Sequence, residues 1–229
     1  EANFIIVKNT LDALQQLAAA HRKKFDIPVI GVTGSNGKTT VKEWLYQLLQ
    51  PDYNTVRSPR SYNSQIGVPL SVWQIGSKTE MAIFEAGISQ PDEMIHLEEI
   101  IKPTLGLITN IGEAHQEGFQ TIQQKCIEKL TLLKACDCII YDGDNELICE
   151  CVEKLCFGCR EIAWSRKDRD KPLYISKIIK GNDSTKIEYT YLQYHSYITI
   201  PFVEDASIEN AIHCLAVMLY YNRPPEAIT

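Results

Sequence analysis

Gly31-Val32-Thr33-Gly34-Ser35-Asn36-Gly37-Lys38-Thr39-Thr40 is the stretch on which the reading of this chain turns. An apolar run at residues 27–32 leads into it, and residues 39–50 follow with helical spacing until Pro51. A glycine-rich turn between a buried strand and a helix is the setting of a phosphate-binding loop. Its glycines let successive N–H groups converge on one anion, and the helix N-terminus adds a favourable dipole. Lys38 can reach β- and γ-phosphates, and the Thr39 hydroxyl can ligate Mg²⁺. The general pattern asks for glycine five positions before Gly37, where this chain has Val32; Gly31 and Gly34 stand instead.

Working outward, Leu11, Leu14, Leu17 and Ala18 predict a helix over residues 10–24. After the loop come strands expected at 54–56, 81–84, 105–109, 138–141 and 161–164. Helices are expected at 68–74, 91–101 (with Asp92 and Glu93 in its first turn), 121–134 and 146–155. This alternation predicts an α/β fold, a mostly parallel sheet with helices on both faces. The rhythm changes after Lys171. Runs at 173–180, 185–192 and 197–203, with a Gly181-Asn182-Asp183 turn, predict a small antiparallel β unit beside the main sheet, at about residues 172–203. A helix returns at 207–221.

The composition is that of a globular protein: 229 residues, 45% hydrophobic, 23% charged and a net charge of −6. It excludes disordered, collagen-like and coiled-coil chains. The mild acidity argues against nucleic acid or an anionic membrane surface as the main partner. No apolar run approaches the ~20 residues of a membrane span. Residues 1–10 carry no basic n-region or signal core, and a cytoplasmic location is expected. The chain lacks an initial Met and reads as a piece of a longer protein. Of its 8 cysteines, Cys149-x-Cys151 and Cys156-x-x-Cys159 could form a zinc site. The pairs are too close for the usual intervening loop, and buried free thiols are the preferred reading.

In a parallel sheet, ligands gather at the carboxyl ends of strands. Glu85, Asn110 and His115 fall at such ends. A carboxylate and an imidazole beside a phosphate loop suit Mg²⁺, held directly or through water.

Five stretches together resemble the Mur ligases of peptidoglycan synthesis. They are residues 31–40, Asn63-Ser64-Gln65-Ile66-Gly67-Val68-Pro69, Phe84-Glu85-Ala86-Gly87, residues 110–119 with Asn110-Ile111-Gly112-Glu113-Ala114-His115, and residues 206–216. The family's own loop has no glycine where this chain has Val32. The resemblance covers the family's central ATP-binding domain, at 27–229, with 1–26 as a helical linker leading into it. The family's N-terminal UDP-binding domain and C-terminal domain fall outside this length. Ala114 before His115, and Phe119 after it, are similar to the branch that joins D-Ala-D-Ala to UDP-MurNAc-tripeptide. The wording also resembles the subgroup fused to an alanine racemase.

The resemblance implies an ATP-dependent carboxylate–amine ligase that works through an acyl phosphate, the fragment alone being inactive. It implies a cradle of Gly34, Ser35, Asn36 and Gly37, with Lys38 on the phosphates and Thr39, Thr40, Asn110 and Asn210 around the nucleotide. Asn210 would face the adenine, although the family often has Asn where this chain has Ser207. It implies two Mg²⁺ sites, one on Thr39 and Glu85 and one using His115. Asn63 would lie near the γ-phosphate. A lysine carbamylated by CO₂ is also implied on the helix after His115. Spacing favours Lys129, and Lys125, one turn earlier, competes. A surface lysine pairing with Glu128 is the plain alternative. Two rival readings stand beside this one: a folylpolyglutamate synthase or another Mur ligase, and an ATP-binding regulatory module without catalysis.

Overall fold

A computed structural model describes residues 5–112 and 118–223. Its framework is one nine-stranded sheet. The strands are β1 (Val29–Thr33), β2 (Thr55–Arg57), β3 (Met81–Glu85), β4 (Leu105–Ile108), β5 (Cys138–Asp142), β6 (Arg160–Ser165), β7 (Leu173–Lys180), β8 (Thr185–Tyr191) and β9 (Tyr194–Ile200). The helices are α1 (Thr10–Arg22), α2 (Lys38–Leu49), α3 (Gly67–Val72), α4 (Glu93–Ile101), α5 (Ile122–Leu130), α6 (Glu146–Leu155) and α7 (Asp205–Tyr220). A short 3₁₀ turn at Thr131–Leu133 ends the stretch expected as one helix to residue 134.

The order is β2-β3-β1-β4-β5-β6-β7-β8-β9. Pairing is parallel from β2 through to β7. The chain leaves β1 toward β2 on one side, whereas β4 lies on the other. That reversal of strand order puts the carboxyl end of β1 at a topological switch point, where open α/β sheets form their clefts.

Strands β1 and β3 are buried throughout, both of their faces being covered, and are apolar up to Thr33 and Glu85 at their carboxyl ends. Alternate residues feed two cores. Ile30, Val32, Met81, Ile83, Leu105 and Leu107 pack under Leu45 and Leu49 of α2 and Ile212 and Leu215 of α7. Val29, Ala82, Phe84, Ile108 and Ile139 face the opposite layer, with Ala18, Leu97 and Leu130. Each fully buried Leu or Ile contributes about 1.5–3 kcal/mol. Helix α1 belongs to this second layer. Its buried Arg22 donates to the carbonyls of Ile101 at 2.9 Å, Phe25 at 2.6 Å and Lys102 at 3.2 Å, and so caps the end of α4.

Two expectations are refined. The antiparallel strands do not form a separate unit beside the sheet. They extend it, through Trp164 opposite Leu173 and Ser165 opposite Tyr174, and β7, β8 and β9 then meander antiparallel. On β8, Thr185, Ile187, Tyr189 and Tyr191 are buried while the residues between them are half-exposed, as a sheet with one covered face requires. Asp92 is not in the first turn of α4. It precedes the helix in the left-handed region, with φ 65°. Glu93, the first residue of the helix, ties down the preceding turn, its Oε2 accepting the N–H groups of Ser89 at 2.6 Å and Gln90 at 3.0 Å.

Candidate functional site

Helices α1, α5 and α6 start under side-chain caps from Asn9, Thr121 and Asn145. Helix α2 does not. Its N-cap is Gly37, left-handed at φ 81° and carrying no side chain. The first-turn N–H groups, those of Lys38, Thr39 and Thr40, therefore point uncapped into the concavity of the loop, as an anion site needs. Gly34 has φ 133°, and a Cβ there would meet the Thr109 hydroxyl and the Asn110 backbone. A Cβ on Gly37 would strike Asn210 Oδ1, at the start of α7. No larger residue fits either bend.

The loop is braced from the end of β4. Asn110 accepts the Ser35 N–H on its carbonyl at 2.8 Å and the Asn36 N–H on its Oδ1 at 3.0 Å. Thr109 donates to the Asn36 carbonyl at 2.6 Å. Ser35 Oγ accepts the Gly112 N–H at 2.9 Å. Asn110 thus gives both its backbone and its side-chain oxygen to the loop backbone. Asn210 abuts Gly37 and closes the other side.

Lys38 lies over the loop, its Nζ donating to the carbonyls of Gly34 at 2.8 Å and Ser35 at 3.0 Å. Burial lowers its pKa, the Glu85 charge opposes that, and Lys125 adds to it. Glu85 ends β3 with the parity of Met81 and Ile83, so it points toward α2, fully buried. Asn63 Nδ2 donates to its Oε1 at 3.2 Å. Among the described residues its Oε2 has no hydrogen-bond partner. Burial raises the Glu85 pKa, and Lys42, Thr39, Lys38 and Asn63 pull it back. The Thr39 hydroxyl meets Ser61 Oγ at 3.3 Å.

Across the cleft both candidate lysines of α5 are buried, Lys125 at 1% and Lys129 at 3% exposure. The surface-lysine alternative fails, because Glu128 instead accepts the Met94 N–H at 3.0 Å. Lys125 donates to the Gly112 carbonyl at 2.6 Å. Lys129 lines a cleft of about 520 Å³ together with Ser35, Lys38, Asn63 and Gly87. Burial, then the charges of Lys38 and Lys125, push its pKa down to about 7. His115 lies outside the described residues.

The sequence reading missed Lys42, a fully buried lysine on α2. The signal was present, since Lys42, Leu45 and Leu49 share one helical stripe with the core. The cysteines are free, with Cys126, Cys136, Cys138, Cys151 and Cys214 buried, but Cys149 and Cys159 are half-buried and Cys156 is exposed, so the buried-thiol reading does not extend to these three. Among the described residues no group of three or more His, Cys, Asp or Glu side chains is placed to hold a metal ion. No helix there is long and apolar enough to cross a membrane.

Comparison with known proteins adds to this geometry. The family model of the Mur ligase middle domain matches residues 32–218. A UDP-N-acetylmuramoyl-tripeptide–D-alanyl-D-alanine ligase of Bacillus subtilis is 30% identical over 225 residues, 97% of this chain and 48% of that protein. Among solved structures, MurF from Acinetobacter baumannii superposes with a TM-score of 0.88 at 24% identity, over 98% of this chain and 49% of that one. MurF from Thermotoga maritima in complex with ADP gives 0.85 at 24% identity, over 98% and 53%. At that identity the structural likeness shows the fold. The chain spans about half the length of the relatives it matches.

Proposed function

We propose, from the fact that this chain belongs to the Mur ligase family as its middle domain, that it supplies the ATP site of a ligase joining D-Ala-D-Ala to UDP-MurNAc-tripeptide. The observation that carries this is the uncapped start of α2 behind left-handed Gly34 and Gly37, with Lys38 over it and beside it Glu85 Oε2, which has no hydrogen-bond partner among the described residues. The reaction is written for the longer protein, residues 27–229 forming the central domain and α1 leading into it. A ligase that consumes ATP would work in the cytoplasm, the location this reading carries with it.

The tripeptide carboxylate attacks the γ-phosphorus of ATP, giving an acyl phosphate and ADP. The amine of D-Ala-D-Ala then attacks the acyl carbon, and phosphate leaves. The first step asks mainly for positioning and charge neutralisation. The N–H groups of the α2 first turn bind the phosphates, and the Lys38 ammonium turns from its carbonyls to the β- and γ-oxygens. Asn110 and Asn210 hold the loop in shape, Asn210 at the nucleoside side. The Asn63 amide keeps Glu85 oriented and borders the reacting end of the cleft.

Mg²⁺, when bound, neutralises phosphate charge. Thr39 Oγ1 and Glu85 Oε2 fit it, since that buried carboxylate oxygen has no hydrogen-bond partner among the described residues and the Lys42 ammonium comes no nearer than 4.0 Å. A second Mg²⁺ would draw on His115 and on Lys129 once carbamylated. Lys129 suits that change because a neutral amine is what adds to CO₂, and the resulting carbamate is an anionic oxygen ligand.

Calorimetry with ADP and Mg²⁺ on this chain and on Lys38→Ala tests the site. Binding by the wild type with at least about tenfold weaker binding by the variant is expected, in line with ~1.5–3 kcal/mol for a charged hydrogen bond. Equal affinities would remove the phosphate loop from the account.

A further inference from the structure

Lys42 has no part in the reaction just described, yet it is the most heavily committed side chain near the site. It follows Lys38 by one turn of α2 and is 0% exposed. A buried ammonium is tolerated only when its protons are bonded and a counter-charge is close. Lys42 Nζ donates to the Ser58 carbonyl at 2.8 Å and, closer still, to the Arg60 carbonyl. It lies 3.0 Å from Glu43 Oε1 and 4.0 Å from Glu85 Oε2. Farther out, Glu43 Oε2 accepts from Arg57 Nε at 2.8 Å, and the Arg57 guanidinium sits 3.6 Å over the Tyr46 ring. Charge alternates Arg57, Glu43, Lys42, Glu85 from the half-exposed surface to the buried strand end.

The two carbonyls that Lys42 grips belong to the loop between β2 and α3, at residues 58–63. Arg60 is left-handed there at φ 48°, which costs roughly 1–2 kcal/mol for a residue with a Cβ. Gripping the Arg60 carbonyl holds the chain in that bend. Four contacts depend on it. Ser58 Oγ accepts the Glu85 N–H at 3.2 Å. Ser61 Oγ meets the Thr39 hydroxyl at 3.3 Å. Asn63 donates to Glu85 Oε1 at 3.2 Å and accepts the Gly87 N–H on its carbonyl at 2.8 Å.

We propose that Lys42 is the positioning residue of the cation half of the site: it fixes the 58–63 loop against α2 and so sets Thr39 and Glu85 for a divalent cation, touching no substrate itself. This rests on the reading of Thr39 and Glu85 as the groups that hold Mg²⁺. A merely structural Lys42 would affect thermal stability alone. A positioning Lys42 affects the coupling between Mg²⁺ and nucleotide.

The test compares ADP affinity by calorimetry in Mg²⁺ and in EDTA, on wild type, Lys42→Met, Glu43→Gln and Glu85→Gln, with circular dichroism melts to confirm folding. The ratio of the two affinities is the readout. Lys42→Met is expected to bind ADP in EDTA as the wild type does and to lose about fivefold or more of the Mg²⁺ enhancement, the scale of a typical coupling between sites. Glu43→Gln, at a half-exposed position, keeps the fold and loses a smaller part in the same direction. A folded Lys42→Met with the wild-type ratio overturns the proposal. Should Lys42→Met fail to fold, an unchanged ratio in Glu43→Gln overturns it. A wild type whose ratio is one, matched by Glu85→Gln, overturns instead the cation reading beneath it, and the proposal with it.

Discussion

The Trp164 indole N–H donates to His213 Nδ1 across 3.2 Å, in the buried seam between α7 and the sheet. The other ring nitrogen, Nε2, lies 2.9 Å from the Thr109 carbonyl and must donate to it. These partners assign a neutral imidazole protonated on Nε2. One side chain thereby ties α7 to the end of β6 and to the residue before Asn110, the brace of the phosphate loop.

That geometry makes stability fall in mild acid. Burial pushes the His213 pKa down to about 4. The unfolded chain, titrating near the ordinary value of ~6.5, binds the proton more readily. The contribution is therefore complete above ~6.5 and lost as pH falls toward about 4, by up to roughly 3 kcal/mol. Urea unfolding of wild type and His213→Gln from pH 7.5 to 4.5 checks this. The variant starts less stable and shows a shallower loss across the window. Parallel curves would place the acid sensitivity elsewhere.

The parallel sheet was legible because β1, β3, β4 and β5 are short apolar runs with turn signals at both ends, which is what burial on two faces demands. The phosphate loop was legible because glycine, lysine and threonine stood between such a run and a helix. Other features depend on tertiary packing, which no local pattern carries. Nothing in Ser165 or Leu173 announces that β7 would pair with β6 and continue the sheet. Asp92 looked like a first-turn acid, but it takes the left-handed position before the helix, and Glu93 begins the helix and holds the preceding turn. Lys42 shares the core stripe of Leu45 and Leu49, but α2 alone does not show what would offset a buried charge there. Only the loop at 58–63, folded back over α2, gives it partners.

Gly37→Ala should remove nucleotide binding without unfolding the chain. An alanine at φ 81° is strained by roughly 1–2 kcal/mol, and its Cβ meets Asn210 Oδ1. Gly37→Ala with Asn210→Ala relieves the collision and leaves the strain, so it should recover binding only in part. Gly76→Ala is the control, since its Cβ would meet nothing within 4 Å. Calorimetry with ADP reads all three. Full recovery in the double variant would make the clash, rather than the left-handed backbone, the whole reason for glycine.

The thiols should react in three classes. Cys156 is exposed, Cys149 and Cys159 are half-buried, and the other five are buried. Burial raises the pKa values of Cys126, Cys136 and Cys214, and that of Cys138 to about 12, so these carry almost no thiolate at neutral pH. With DTNB under native conditions one thiol should react fast and two slowly, and five should wait for denaturant. Cys149 and Cys151, two apart on α6, point to different sides of the helix. Added Zn²⁺ should therefore leave the rates unchanged. Protection of Cys156 by Zn²⁺ would revive the zinc reading.

Lys129 rather than Lys125 should take up CO₂. Carbamylation needs the neutral amine, and with a pKa near 7 about half of Lys129 is neutral at that pH. An ordinary lysine at ~10.4 offers less than about one part in a thousand. Lys125 is also lowered by burial, but its Nζ donates to the Gly112 carbonyl, which favours the charged form. ¹³C NMR of the chain in ¹³C-bicarbonate should show one carbamate resonance that grows from pH 6 to about 8, as Lys129 loses its proton. The resonance should vanish in Lys129→Ala and persist in Lys125→Met. The reverse pattern would move the modification one helical turn along α5, toward the Gly112 carbonyl and away from the cleft that Lys129 shares with Lys38 and Asn63.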